Sequence, residues 1–324
     1  MRTIFTTHTL TPTLSTPVPD FVLPPPSLES SRRETTARMQ SVENVGNRFS
    51  REVIHTPLPA LGSISLIACF IIILIFLLPR PAAADQPTPT PEISIIIDDI
   101  GYRMHDDMRA IAIPGALAYA IMPHSPHALK MSHLASQNGK LVLLHLPMEA
   151  IMQEKNRFLG PGALWLGMTR EQFMLTLNID LNSLPEAVGV NNHEGSLLTR
   201  HPGHMAWLMD GLKQNQKFFI DSLTSEQSVA GRIAMEKSVP YLKRDVFLDN
   251  EQNQAYIESQ FMELVRVART NGKAIGIGHP HPETIQVLSR ELQELDRYGV
   301  VLVSLIDLMQ PGTETDVLPV RLAK

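Results

Sequence analysis

Six short apolar runs in this chain end on residues that can hold a cation or move a proton. Ile95-Ile96-Ile97 leads into Asp98-Asp99, and Leu143-Leu144 leads into His145. Val190 precedes Asn191-Asn192-His193-Glu194, and Phe218-Phe219-Ile220 precedes Asp221-Ser222. Arg244, Asp245 and Asp249 surround the run Pro240–Phe247, and Ile275-Gly276-Ile277-Gly278 leads into His279 and His281. Two neighbouring carboxylates can divide labour, one binding a cation and the other taking a proton. Two or three imidazoles with one carboxylate make a usual site for zinc or a similar divalent ion, with a position left for water. Such an ion lowers the pKa of its water and polarises a carbonyl oxygen. A second carboxylate can then accept a proton, and another imidazole can protonate a leaving group. These parts suit hydrolysis of an amide or ester.

Each piece alone has an ordinary reading. An Asp pair after a strand often caps a helix or turn. A histidine at a strand end is often a hydrogen-bonded rim residue, and Asp221, Ser222 or Ser225 could cap the following helix. Glu149 stands four residues from His145, but Pro147 between them argues against a helical pair of ligands. His105, His124, His127, His133, His201 and His204 lack strand-end placement and are read as solvated. The joint pattern therefore carries the chemistry.

That pattern needs a scaffold bringing strand ends to one rim. Apolar runs at Ile93–Ile97, Ala116–Met122, Lys140–His145, Ala187–Asn191, Lys217–Ile220, Pro240–Phe247, Ala274–Gly278 and Val300–Leu305 read as strands, several of them buried on both faces. Helical spacing appears in Pro126–Asn138, Arg170–Leu181, Gln252–Thr270 and Thr284–Tyr298. Alternation of the two is the sequence form of parallel βα units. Seven or eight such units fit a closed or nearly closed α/β barrel, with an open doubly wound sheet as the runner-up. In both, ligands sit at the carboxyl ends of the strands.

The domain is expected over residues 93–310, after a different N-terminal third and before a tail at 311–324. Residues 1–60 are rich in Pro, Thr and Ser and read as disordered, with Met39 an alternative start. Leu61–Leu78 is an uncharged apolar run followed by Ala82-Ala83-Ala84. It is either a membrane anchor or a signal peptide cut after Ala84, so that 61–84 directs export in both cases. Residues 85–92, with Pro87, Pro89 and Pro91, form a stiff linker. Both readings place the domain outside the cytoplasm, in the periplasm if the cell is Gram-negative.

Composition removes other classes. The single cysteine, Cys69, lies in the apolar run, which excludes a disulfide scaffold, a thiolate metal site and a cysteine nucleophile. A formal charge of -5 without a basic block does not suit nucleic-acid binding. Neither a G-x-S-x-G elbow nor a phosphate-binding glycine loop occurs.

At these residues the chain resembles the divergent polysaccharide deacetylases, relatives of NodB-type carbohydrate esterases. The resemblance rests on Ile97-Asp98-Asp99-Ile100-Gly101, His145-Leu146-Pro147-Met148-Glu149, Gly189-Val190-Asn191-Asn192-His193-Glu194-Gly195-Ser196, Asp221-Ser222-Leu223-Thr224-Ser225 and Ile277-Gly278-His279-Pro280, with Phe247-Leu248-Asp249-Asn250 also matching. It covers roughly Ile93 to Leu308 and implies a distorted (β/α) barrel. It further implies Asp98 as general base, Asp99 as metal ligand and His279 as catalytic acid. His145 and His193 would complete the site of a divalent metal such as zinc, and Asn192, Asp221, Ser222 and Asp249 would contact substrate. The implied substrate is an N-acetylated envelope polysaccharide such as peptidoglycan.

Three positions depart from the family pattern. Related deacetylases carry an H-[ST]-x-x-H motif, where this chain has Glu149 as the last residue. Glu194 stands where Met follows the Asn-Asn-His triplet in relatives, and no Arg-Pro-Pro motif is evident. A glycan- or partner-binding protein on the same barrel, without turnover, is the alternative to the enzyme.

Overall fold

The computed structural model describes residues 89–309. The leader, most of the linker and the tail lie outside the described residues. Among the described residues, no helix is long and apolar enough to cross a membrane.

Nine parallel-paired strands form one curled sheet. They are β1 (Glu92–Ile100), β2 (Ala118–Ile121), β3 (Leu141–Met148), β4 (Gly189–Glu194), β5 (Phe218–Asp221), β6 (Tyr241–Lys243), β7 (Val246–Phe247), β8 (Lys273–Gly278) and β9 (Val301–Leu302). The order is β6-β5-β4-β3-β2-β1-β8-β7, with β9 added beside β1. The expected strand Pro240–Phe247 is split in two, and the split joins the sheet's ends. Its first part pairs with β5 and its second with β8. The link between them, Arg244-Asp245, donates backbone N–H groups to Asp221 O at 2.9 Å and Ile275 O at 2.9 Å. One segment thus touches both edges, as the (β/α) barrel expectation requires.

The helices are α1 (Met104–Ile111), α2 (Ala128–Gln137), α3 (Gln153–Asn156), α4 (Arg170–Ser183), α5 (Pro202–Gln214), α6 (Ala230–Lys237), α7 (Gln254–Asn271), α8 (Pro282–Glu291), α9 (Leu295–Tyr298) and α10 (Leu305–Leu308). The expected helix Thr284–Tyr298 is two helices, α8 and α9. The strand expected to reach Leu305 stops at Leu302, and the chain turns at Ser304, whose hydroxyl caps α10 through Asp307 N. Sequence spacing did not single out α1, α5 or α6.

Two apolar layers result. Ile95, Ile97, Leu144, Leu146, Val190 and Phe219 face outward and pack under the helices. Ile96, Ala118, Leu143, Phe218, Ile220, Leu242, Ile275 and Ile277 face inward, and Leu305, Leu308 and Met309 of the α10 region join that inner cluster. Gly189 is needed in this interior. A Cβ there would lie 2.3–2.5 Å from the ring of Phe218. Strand alternation then carries each inward row from apolar floor to polar rim. Ile96 leads to Asp98, Leu143 to His145, Phe218 and Ile220 to Ser222, Leu242 to Arg244, and Ile277 to His279.

Candidate metal and catalytic site

The rows end in a cavity of about 350 Å³ lined by Asp98, Asp99, His145, His193, Arg244 and His279, among others. Two adjacent aspartates on a regular strand would face opposite sides. Here the register with β2 slips between Ile97 and Ile100, and Asp99 takes φ 59°. The irregularity turns Asp99 inward beside Asp98, as bulges commonly re-aim a side chain. Asp107, itself buried, secures the turn by accepting from Gly101 N at 2.9 Å and Arg103 N at 3.1 Å.

Three donor atoms converge from different strands. Asp99 Oδ1 lies 2.9 Å from His193 Nδ1 and 3.2 Å from His145 Nε2. The two imidazole nitrogens are 3.1 Å apart. Asp99 Oδ1 is a buried oxygen without a hydrogen-bond partner. Convergence of donor atoms on a carboxylate oxygen that has no hydrogen bond of its own is what a shared cation requires. Ligands about 2.0–2.2 Å from a tetrahedral ion stand roughly 3.3–3.6 Å apart, so these atoms need only small adjustment. The donor set of two imidazoles and a carboxylate fits zinc or a similar ion.

Behind the ligands, Asn191 sets the histidine. Its Oδ1 accepts from His145 Nδ1 at 2.9 Å, and its Nδ2 donates to Asp98 Oδ1 at 2.7 Å. With Nδ1 donating, His145 presents Nε2 to the convergence point, the usual second-layer orientation of a metal-binding imidazole. The strand register explains the placement: Asn191 lies opposite His145, and His193 lies opposite Pro147.

Charge follows geometry. Burial raises the Asp98 carboxyl above its ordinary range, against the lowering influence of His145 and His279. Burial also acts upward on Asp99, but the adjacent His145 and His193 imidazoles outweigh it and hold this group well below the usual range. Burial pulls His145 down while Asp98 and Asp99 pull it further up, so it is raised overall. A proton and a metal cation are the two positive species that these carboxylates would draw to Nε2. Across the cavity, His279 Nδ1 donates to Asp249 Oδ1 at 2.9 Å, and Nε2 lies 3.8 Å from Asp99 Oδ2. Burial lowers His279, yet Asp249 and the other carboxylates lift it to about 9. Asp249 Oδ2 is fixed by His279 N at 2.6 Å and the Thr284 hydroxyl at 2.8 Å.

The remaining expected residues divide. Ser222 lines the cavity. Asn192 also reaches its wall, but its amide is occupied: Oδ1 accepts from Ser222 N and Nδ2 donates to Glu194 O. Asp221 is turned to the outer face, where it accepts from Leu223 N, the Ser228 hydroxyl and the Tyr241 hydroxyl. Asp249 stands behind His279. Glu149, at the departed motif position, accepts from Leu166 N at 2.7 Å and so anchors the β3–α4 connection. Two histidines read as solvated are engaged instead: His124 donates to the buried Asp180 at 2.8 Å, and His204 to Leu166 O at 3.0 Å.

Sequence reasoning did not assign Asn191, Arg244, Phe247 or Lys155 to the site. Period-two alternation on β4 would have favoured Asn191 over Asn192, since His193 must face inward. Arg244 is held by Ser222 O at 2.7 Å and Leu223 O at 3.0 Å, over the Phe247 ring. Its inward turn depends on the split between β6 and β7, which composition does not mark.

Comparison with known proteins bears on the family and the fold. The profile of the divergent polysaccharide deacetylases matches residues 95–309. The uncharacterized protein YibQ of Escherichia coli K12 is 36% identical over 238 residues, covering 73% of each chain. An uncharacterized protein of Haemophilus influenzae is 39% identical over 204 residues, covering 63% of this chain and 72% of its own. The crystal structure of the uncharacterized protein ATU2773 from Agrobacterium tumefaciens C58 superposes with a TM-score of 0.64 at 24% identity, covering 70% of this chain and 91% of that one. That likeness concerns the fold, whereas the profile spans nearly every described residue. The chain belongs to the divergent polysaccharide deacetylase family.

Proposed function

We propose that this protein is an exported, metal-dependent deacetylase of an N-acetylated envelope polysaccharide such as peptidoglycan. Asp99, His145 and His193 hold the divalent cation, with zinc the best match to two imidazoles and a carboxylate. The observation that carries the reading is the convergence of two imidazole nitrogens on a buried carboxylate oxygen with no hydrogen bond of its own.

When bound, the cation would polarise the acetamido carbonyl and make water acidic enough to attack near neutral pH. Asp98 is placed to accept a proton from the attacking water. Asn191 orients its carboxylate, and burial raises its proton affinity, as a general base requires. His279 delivers a proton to the departing amine nitrogen. Asp249 stabilises the imidazolium and directs Nε2 towards the cavity. The amide C–N bond breaks, acetate leaves, and the sugar retains a primary amine. Ser222 and the edge of Asn192 are assigned to the substrate wall; Asp221 and Asp249 act through neighbouring groups.

The test is metal content together with acetate release from N-acetylated oligosaccharides. A folded protein that takes up no divalent metal and releases no acetate ends this reading. The binding-protein alternative is favoured by Glu149, which replaces a motif histidine and is committed to Leu166 N. It gains the field if Asp99→Asn and His193→Ala leave the cellular role intact.

A further inference from the structure

A lysine ammonium sits on a carboxylate at the wall of the cavity. Lys155 Nζ lies 2.8 and 3.0 Å from the two oxygens of Glu194, within the fork of the carboxylate. Both residues line the cavity that holds Asp98 and Asp99. Those two aspartates are engaged with Asn191 and with imidazoles. Glu194 has Lys155 as its side-chain partner.

The two members of the pair are held differently. Lys155 stands on the four-residue helix α3, with its side chain 44% exposed. Glu194 ends β4 directly after His193, with its side chain 20% exposed. Its backbone takes φ 52°, uncommon for a residue with a side chain. The carbonyl is fixed there by Asn192 Nδ2 at 2.8 Å and the Thr224 hydroxyl at 2.9 Å. The backbone that carries the carboxylate is therefore fixed in the wall. Its counterion is a flexible stem carrying a compact charge, in a half-exposed ion pair that is readily exchanged.

We propose that Glu194 is a receptor for a primary ammonium on the glycan, with Lys155 as its internal stand-in. The ligand class is a chain in which a free 2-amino sugar neighbours the N-acetylated sugar being processed. This rests on the deacetylase reading, because amide hydrolysis creates that ammonium. A partly processed chain then offers the same chemical group that Lys155 places on Glu194. Recognition through Lys155 of a sugar carboxylate is the weaker reading, since Lys155 is the less firmly held partner and is already neutralised.

The experiment is calorimetric titration of the full chain with three oligomers: a glucosamine tetramer, an N-acetylglucosamine tetramer and a muramic-acid-containing fragment. Glu194→Gln is expected to lower affinity for the glucosamine tetramer at least about fivefold relative to the acetylated one, as loss of a charged partner predicts. Lys155→Ala, which removes the internal competitor, is expected to raise glucosamine affinity about two- to fivefold. Equal loss for both tetramers in Glu194→Gln overturns the proposal. So does selective loss of the muramic-acid fragment in Lys155→Ala. If Glu194→Gln fails to fold, Lys155→Ala decides alone: glucosamine affinity that does not rise overturns the assignment. Acetate release is measured separately. Amine binding that depends on Glu194 without any acetate release would refute the deacetylase and leave the subsite standing; release without such dependence refutes the subsite.

Discussion

Two aspartates in this barrel meet histidines, and each leaves one buried carboxylate oxygen without a hydrogen bond: Asp99 Oδ1 and Asp180 Oδ2. At Asp99 two imidazole nitrogens from separate strands converge on that oxygen beside an open cavity. At Asp180 a single imidazole, His124, bonds the other oxygen at 2.8 Å. The carboxylate is covered by backbone, because a Cβ on Gly162 would come within 2.3 Å of Asp180 Oδ1 and 2.9 Å of Oδ2. The first arrangement has space and several lone pairs for a cation. The second has one partner and no room, so it clamps α4 to the loop after β2. An orphaned carboxylate oxygen indicates a ligand site only where donors converge on unfilled space.

The difference can be broken most severely at the catalytic centre. Asp98→Asn should reduce acetate release about 10²–10⁴-fold, the usual range for a general base, while bound metal measured by mass spectrometry stays near the wild-type level. Loss of metal in that variant would mean that Asp98, too, is a ligand. His193→Ala should reduce metal affinity about 100-fold or more, since ligand loss exceeds the roughly 10–100-fold effect of removing an outer partner. Competition with a chelator would measure it, and retained affinity would remove His193 from the site.

The clamp should respond in stability and leave metal content alone. Burial raises Asp180 to about 7, against the lowering influence of His124. The native state therefore keeps a proton that the unfolded chain loses near 4, so ionising Asp180 costs stability as pH rises from about 4 to 7. Asp180→Asn, which carries no such charge, should gain on the wild type across that window by up to about 4 kcal/mol, with the gain level above it. Denaturant unfolding at pH 4, 5.5 and 7.5 would show this; a difference independent of pH would refute it. Gly162→Ala should be the smallest effect, a loss of about 1–3 kcal/mol from φ 83° and the contact with Asp180. Its thermal midpoint should fall with metal binding unchanged.

Much of the site was legible as a list and little of it as a geometry. Asp98-Asp99, His145, His193 and His279 stand at the ends of apolar runs, and those ends do meet at one rim. Asp221 occupies the same kind of position and turns away, because its neighbours Ile220 and Ser222 take the inward face. Glu149 retains the spacing of a motif ligand but spends its carboxylate on Leu166 N.

By itself the sequence determined the alternation of strands and helices, the apolar rows that fill the barrel, and the residue types at its rim. Hydrophobic periodicity is local and survives in one dimension. Only the tertiary structure decided which rim residues share a centre. The register slip that turns Asp99 inward, the pairing that sets Asn191 opposite His145, and the split that carries Arg244 across the seam depend on contacts between distant strands. A one-residue change in such pairing moves a side chain to the other face, so the same letters could have built a different site.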